Sequence, residues 1–154
     1  MATVNPSWAY TLHLPHDPRA PGIARATLRA VLATYELGEL TDTAELLASE
    51  LVTNAQRHTD SPYSFRLRPV GPDRLRLAVW DADPFLPPSF TGTASSEMAA
   101  LADDTAEEGR GLHLVQACAD RWGGYAFGSA YYPGRPGGGK LLWAECGRKA
   151  RETW

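Results

Sequence analysis

Hydrophobic and polar residues alternate along residues 8–14, and a two-residue period is typical of a β-strand. Two further runs, Tyr63–Pro69 and Arg74–Asp81, are separated by a short turn and predict an antiparallel hairpin. Two last strands are predicted at about residues 122–127 and 140–145, on either side of a loop rich in glycine and proline. The alternating pattern therefore predicts a sheet with strands from both ends of the chain.

Helical periodicity predicts a first helix at about residues 23–35 and a short helix at about residues 112–119. A longer helix is predicted between them, starting at Thr41 or Asp42, either of which could cap it, and ending at His58. The resulting order is β-α-α-β-β-loop-α-β-β. It predicts an α/β (α+β) two-layer sandwich, in which helices cover one face of a mixed, mostly antiparallel sheet.

Two segments do not fit this pattern. Residues 82–108 show little periodicity, and loops of this length in compact domains usually serve as lids or binding segments, so a lid is predicted here. Residues 148–154 are predicted to be a frayed tail. Because no linker or repeat divides the chain, residues 1–154 are interpreted as a single domain.

Composition limits the class of protein. The 154 residues are 44% hydrophobic and 21% charged, which suits one domain with one core. Fifteen basic residues against eighteen acidic residues leave a net charge of -3, which disfavours direct binding to nucleic acid. No apolar run is long enough to cross a membrane. Two cysteines form no disulfide framework, so a cytoplasmic location is expected.

The longest predicted helix carries polar residues along the edge of its apolar face. Glu50, Asn54 and His58 recur every four residues, beside the apolar positions Leu47 and Leu51. Burying a carboxylate and an amide costs several kcal/mol unless partners, a metal or water satisfy them. The ridge therefore indicates either a ligand site or polar groups that bridge neighbouring loops at the edge of the core.

A second polar residue continues an apolar face. Leu77, Val79 and Asp81 are in phase on one strand, so the carboxylate extends the hydrophobic face at the end of that strand. It is placed to accept a hydrogen bond from a ligand amino group in an apolar pocket. The alternative is that Asp81 caps the turn towards Pro84.

A third feature is the run Gly109-Arg110-Gly111-Leu112 before the short helix. Glycine lets the backbone approach a ligand closely, and free N–H groups at a helix start favour anions such as phosphate. An ordinary loop-to-helix turn is the alternative. Together with the two preceding features, which come earlier along the chain at similar intervals, the run predicts one nucleotide site.

These motifs resemble those of a known superfamily. Residues 50–58, E-L-V-T-N-A-Q-R-H, resemble the N box of the GHKL (Bergerat-fold) ATPase and kinase superfamily. Residues 80–84 lie where the first glycine box belongs, residues 109–115 match the second, and residues 139–145 resemble the closing strand. Within the superfamily, the chain is similar to bacterial anti-sigma-factor serine/threonine kinases and their stand-alone ATP-binding relatives.

The resemblance implies roles for individual residues. Asn54 is expected to coordinate a Mg²⁺ ion that bridges the phosphates of ATP. Glu50 is expected to act as the general base on an incoming hydroxyl group. Asp81 is expected to bind the adenine amino group, and Arg57 and His58 to face the phosphates.

The second glycine motif is expected to bind phosphate. The resemblance implies that Gly109, Gly111 and Leu112 offer backbone N–H groups and that Arg110 adds a positive charge. Two hypotheses follow: a protein kinase that binds a sigma factor and phosphorylates a serine of a small antagonist protein, or a non-catalytic module, nucleotide-gated or nucleotide-free. A homodimer is also expected from the resemblance.

The first glycine box departs from the family pattern. That pattern reads D-x-G-x-G, whereas Asp83 and Phe85 stand at the two glycine positions. The usual threonine near the closing strand is Leu141. These departures motivate the hypothesis of a non-catalytic module.

Overall fold

The computed structural model describes residues 8–90, 92–95, 112–126 and 138–148. Six strands form one sheet in the order β1-β2-β3-β6-β5-β4, and each of its strand pairs is antiparallel. The elements are β1 (Tyr10–Leu14), α1 (Ala20–Thr34), α2 (Thr41–His58), β2 (Tyr63–Pro69), β3 (Arg74–Asp81), β4 (Gly92–Ser95), α3 (His113–Cys118), β5 (Arg121–Ala126) and β6 (Lys140–Gly147).

The described helices pack on one side of the sheet, which confirms the predicted two-layer fold. Alternate residues of the strands, such as Phe65, Leu77 and Leu142, are buried in one hydrophobic core with Leu47 and Leu51 of α2. The intervening residues lie on the opposite side, which we call the helix-free face. Since the strand period is two, each strand contributes to both faces.

Helix α2 spans the predicted residues, Thr41–His58, but its predicted cap is absent, and α1 begins earlier than predicted. Helix α1 starts at Ala20, earlier than predicted, because Pro21 lies in the first turn, where a backbone N–H is not needed. The predicted cap of α2 at Thr41 or Asp42 is wrong. A 3₁₀ turn at Gly38–Leu40 leads directly into α2, and the Thr41 N–H donates to the Gly38 carbonyl.

The structure narrows the predicted lid. Within residues 82–108, a 3₁₀ turn at Pro88–Phe90 buries Phe90 in the core, and Gly92–Ser95 forms edge strand β4, which pairs with β5. These residues belong to the body of the fold, whereas residues 96–108, the rest of the predicted lid, lie outside the described part of the chain.

Arg148, the first residue of the predicted frayed tail, is held by side-chain contacts. The Arg148 guanidinium pairs with Asp73 at 2.6 Å and with Glu39 at 3.0 Å, and it donates to the Glu36 carbonyl oxygen at 2.9 Å. These contacts anchor Arg148 to the body. The remaining residues of that segment, 149–154, lie outside the described residues.

Candidate functional site

Chain topology brings the end of α2 to one end of the sheet. Residues 59–62 connect α2 to β2, and Ser64 at the start of β2 pairs with Trp80 near the end of β3. The Tyr63 hydroxyl donates to Gln56 Oε1 at 2.8 Å and ties the strand to the helix. The C-terminal half of α2 and Asp81 therefore lie at the same end of the molecule, on the helix-covered side.

Asn54 carries a buried oxygen atom that is not satisfied. Its Oδ1 atom is shielded from solvent and accepts no hydrogen bond from any residue that the structure describes. Such an atom costs about 1–3 kcal/mol when it is left unpaired. Because Leu51 and Ala55 of the same helix are fully buried, the surrounding core holds Asn54 in place. The orphaned oxygen indicates a ligand position.

Glu50 lies one helical turn before Asn54 and is half-buried. Burial raises the pKa of its carboxyl group above the ordinary value, and the positive charge of Arg57 partly opposes that shift. A general base is most effective when its pKa lies near the working pH, so the raised pKa suits the predicted role.

Arg57 and His58 occupy the exposed last turn of α2. The charge of Arg57 acts on Glu50, two turns earlier, so both side chains lie along the same strip of the helix. Basic residues in the last turn of a helix also interact favourably with its dipole. The placement of both residues is compatible with phosphate contacts, which stay a prediction.

Asp81 is almost completely buried and forms an ion pair with Lys140. Lys140 Nζ lies 3.0 Å from Asp81 Oδ1, and each side chain is 2% exposed. The backbone N–H of Asp83 donates to the same oxygen at 2.9 Å. Burial raises the pKa of Asp81, while Lys140 acts in the opposite direction. Asp81 therefore also caps the following turn, as the alternative interpretation predicted, because it accepts the hydrogen bond from the Asp83 N–H.

Asp83 stands where the family pattern has glycine, and its charge faces Lys140. Asp83 Oδ2 lies 3.7 Å from Lys140 Nζ, and the Asp83 carbonyl accepts a hydrogen bond from that ammonium group at 3.3 Å. The Phe85 N–H donates to Asp83 Oδ1 at 3.1 Å, and the Phe85 side chain is 63% exposed. The lysine therefore offsets part of the added negative charge.

The chain approaches this ion pair closely at Gly139. Its φ angle is 126°, a conformation that favours glycine, and a Cβ atom here would overlap the Asp81 carbonyl oxygen and the Trp80 ring. Gly139 thus allows Lys140 to enter β6 directly opposite Asp81.

The second glycine motif is only partly described. Gly109, Arg110 and Gly111 lie outside the described residues, so their predicted phosphate contacts stay predictions. The Leu112 side chain is 1% exposed and belongs to the core, which leaves its predicted backbone role untested. Helix α3, which follows, packs against α2.

The residues present suit Mg²⁺ bound between protein and phosphate. Across the described ranges, no group of three or more histidine, cysteine, aspartate and glutamate side chains could hold a metal ion alone. Mg²⁺ usually takes one or two protein oxygens and completes its shell with phosphate and water. The Asn54 Oδ1 atom is an oxygen of this kind.

Lys140 is the residue that the sequence analysis did not assign to the site. A signal exists in the pattern, since Lys140 is in phase with the buried Leu142 and Ala144 on β6. A lysine at a core position of a strand needs a partner. The register that pairs it with Asp81 depends on contacts between distant parts of the chain.

The sheet and the helices define the class as an α+β domain, and Asn54 and the buried Asp81 form a candidate ligand site on its helical side. A family model described as the histidine kinase-like ATPase domain matches residues 14–127. The chain belongs to this family, and the domain is therefore an ATP-binding, kinase-like ATPase domain. The search of curated proteins found no match. No helix in the described residues is long and apolar enough to span a membrane.

Proposed function

We propose that the protein is an ATP-dependent serine/threonine kinase of the anti-sigma-factor type. It transfers the γ-phosphate of ATP to a serine of a small antagonist protein in a partner-switching circuit. The observation that carries this proposal is the buried Oδ1 atom of Asn54, which has no partner among the described residues and lies one turn after the half-buried Glu50. A carboxylate and a metal-binding amide at this spacing serve phosphoryl transfer to a hydroxyl group.

The transfer step follows from these positions. The serine Oγ of the antagonist attacks the γ-phosphorus, and its proton moves to the Glu50 carboxylate. The bond between the γ-phosphorus and the β–γ bridging oxygen breaks, which leaves phosphoserine and ADP. The raised pKa of Glu50 favours acceptance of that proton. Arg57, near the exposed end of α2, adds positive charge beside the phosphates, and the neighbouring His58 offers a ring N–H to them.

Asn54 would hold the Mg²⁺ ion through Oδ1. When it is bound, Mg²⁺ neutralises charge on the phosphate oxygens. The amide is fixed by its place on a buried helix, so the oxygen needs no reorganisation before it binds.

Asp81 is assigned to the adenine base in this proposal. Lys140 and the Asp83 N–H both contact Oδ1, so Oδ2 is the oxygen that we assign to the adenine amino group. The adenine amino group is a hydrogen-bond donor, and a carboxylate oxygen is the acceptor that matches it.

A second candidate function is a non-catalytic module in which nucleotide gates the binding of a protein partner. Its support is the pairing of Asp81 with Lys140 and Asp83, which leaves Asp81 only 1% exposed. A nucleotide that hydrogen-bonds to Asp81 must first displace residues packed around this carboxylate. Such a rearrangement suits a switch. The proposed partners in either case are a sigma factor and its antagonist, with a second copy of the chain in a homodimer.

A transfer assay tests the kinase. Wild-type protein is incubated with Mg-ATP labelled on the γ-phosphate and with candidate antagonist proteins. We expect labelled phosphoserine on one of them, and a rate at least about 100-fold lower in Glu50→Gln, since a general base contributes about 10²–10⁴-fold. The matched control is Glu45→Gln on the same helix, where Glu45 pairs with Arg29 at 2.6 Å. Transfer that is equally fast in wild type and Glu50→Gln would contradict the proposed base.

Calorimetry separates the two candidates. Mg-ATP that binds without any transfer would favour the nucleotide-gated module. Binding that is lost in Asn54→Ala and retained in Glu45→Gln would support the assigned phosphate site under either candidate. Absence of binding at millimolar nucleotide would contradict both and favour a protein-interaction role without nucleotide.

A further inference from the structure

Five arginine side chains lie on the helix-free face of the sheet. Strand alternation and register place them side by side, because Arg68 pairs with Arg76 and Arg76 pairs with Glu145, which in turn pairs with Arg121. We call this surface the arginine face. Its arginines are Arg66, Arg68, Arg74, Arg76 and Arg121.

Among the described strands, one carboxylate forms ion pairs with these arginines. Glu145 is buried at the centre of the arginine face, and Arg76 donates to its Oε2 atom at 2.6 Å. Arg74 and Arg121 each place a guanidinium nitrogen 4.0 Å from the Oε1 atom. Three guanidinium groups thus share a single negative charge.

The remaining positive charge is not balanced within the face. Arg66 is exposed and Arg68 half-buried, and neither forms an ion pair with a described residue. Burial and the positive charges of Arg76 and Arg66 lower the pKa of Arg68, and Glu145 opposes this shift only in part. Like charges this close together repel one another. The repulsion is relieved when an anionic partner binds.

We propose that the arginine face binds an acidic segment of a partner protein. Arginine forms paired hydrogen bonds with carboxylates, and a row of them along neighbouring strands suits an extended acidic peptide. The side chains of Arg74 and Arg121 are 42% and 50% exposed and can be reached from solvent. This surface lies on the opposite side of the sheet from Asn54 and Asp81.

Charge and exposure favour a partner protein over nucleic acid, a polyphosphate or a second copy of this chain as the ligand of the arginine face. Non-specific nucleic-acid surfaces combine basic residues with aromatic rings on which bases stack. Here the aromatic ring among the arginines, that of Trp143, is buried beneath Arg76, whose guanidinium carbon lies 4.1 Å from the ring centroid. The exposed Tyr125 on the same face lies four residues along β5 from Arg121, away from the row that Arg68, Arg76 and Arg121 form. The net charge of the chain is -3, which also opposes a polyphosphate. A second copy of the chain would present the same arginines and be repelled.

A peptide titration tests the proposal. The probe is a fluorescent peptide of alternating glutamate and leucine, titrated without nucleotide and followed by anisotropy, so its outcome is independent of the proposed kinase activity. We expect binding that weakens with salt. Arg66→Glu/Arg68→Glu should weaken it at least about tenfold, which corresponds to about 1.4 kcal/mol. Arg66→Gln/Arg68→Gln should weaken it less.

The matched control is Arg19→Glu/Arg25→Glu, which makes the same change in charge at helix α1 and should leave peptide affinity within about twofold. Amide chemical shifts should move in β2 and β3. Equal peptide affinity in both charge-reversal variants, or shifts confined to the helices, would overturn the proposal. Tighter binding of an oligo-dT of matched charge than of the peptide would overturn the assigned class of partner.

Discussion

Two buried carboxylates on the same pair of strands have opposite surroundings. Asp81 lies on the helix-covered side, at one end of β3, with one lysine at 3.0 Å that is as deeply buried as itself. Glu145 lies on the helix-free face of β6, with three arginines around it, two of which are about half exposed. Asp81 is paired with one lysine, which it shares with Asp83, whereas Glu145 is surrounded by more positive charge than it can neutralise.

The difference separates two kinds of binding. Around Asp81, one buried lysine is shared with Asp83 and no excess positive charge remains, so under our proposal a ligand is recognised there by hydrogen bonds, as a nucleobase is. Around Glu145, excess positive charge faces water, so a ligand is attracted there by its own negative charge. Under the two proposals, one sheet provides a polar recognition site on one side and an electrostatic docking surface on the other.

Removing the lysine should have the largest effect on stability. Lys140→Met leaves Asp81 buried without a countercharge, and we expect the free energy of unfolding to fall by about 3–5 kcal/mol. Urea denaturation without nucleotide measures this loss. The control is Asp81→Asn/Lys140→Met, in which no charge is stranded and the loss should be smaller. A loss under about 1 kcal/mol in the single variant would mean that water reaches Asp81 in solution.

Removing the charge of Glu145 should cost less. Glu145→Gln keeps an acceptor for Arg76 but removes the charge shared by three arginines, and we expect a loss of about 1–2 kcal/mol. The cost is limited because Arg74 and Arg121 remain solvated. The same variant should bind the acidic peptide at least as tightly as wild type. If Glu145→Gln is the more destabilising of the two changes, the contrast between the two carboxylates is wrong.

The smallest effect concerns Glu50 and pH. Since burial raises its pKa above the ordinary 4.5, the folded protein holds this proton more tightly than the unfolded chain. The associated stability is present below that value and is lost as the pH rises through the raised pKa. Glu50→Gln should therefore be more stable than wild type at neutral pH, by less than about 1 kcal/mol after solvent screening. Urea midpoints measured across that range for both proteins provide the check, and a difference that shrinks as the pH rises would contradict it.

Local pattern predicted much of this molecule. The ridge of Glu50 and Asn54 follows from helical spacing, and Asp81 from strand alternation, so both could be singled out before the fold was known. Strand β4 could not, because G-T-A-S lacks alternating apolar residues and is held in the sheet by pairing with β5. Local spacing encodes a helix face, whereas edge pairing depends on the rest of the sheet.

Pairings between distant strands account for what was missed. Lys140 meets Asp81 only through the register of β3 and β6, which are far apart in the sequence. The arginine face has the same origin, since Arg121 joins Arg76 only because both strands flank β6. A pattern within one strand indicates which residues share a face, but the neighbours across that face are set by topology.

The central claim is that a nucleotide binds with its base at Asp81 and its phosphates at Asn54. The most direct test compares the Kd of Mg-ATP with that of Mg-ITP, which carries an oxo group in place of the adenine amino group. We expect wild type to bind ATP at least about tenfold more tightly, since an unmet buried acceptor costs about 1–3 kcal/mol. This preference should disappear in Asp81→Asn, while Asn54→Ala should weaken both nucleotides equally. Equal Kd values for ATP and ITP in wild type would contradict the account.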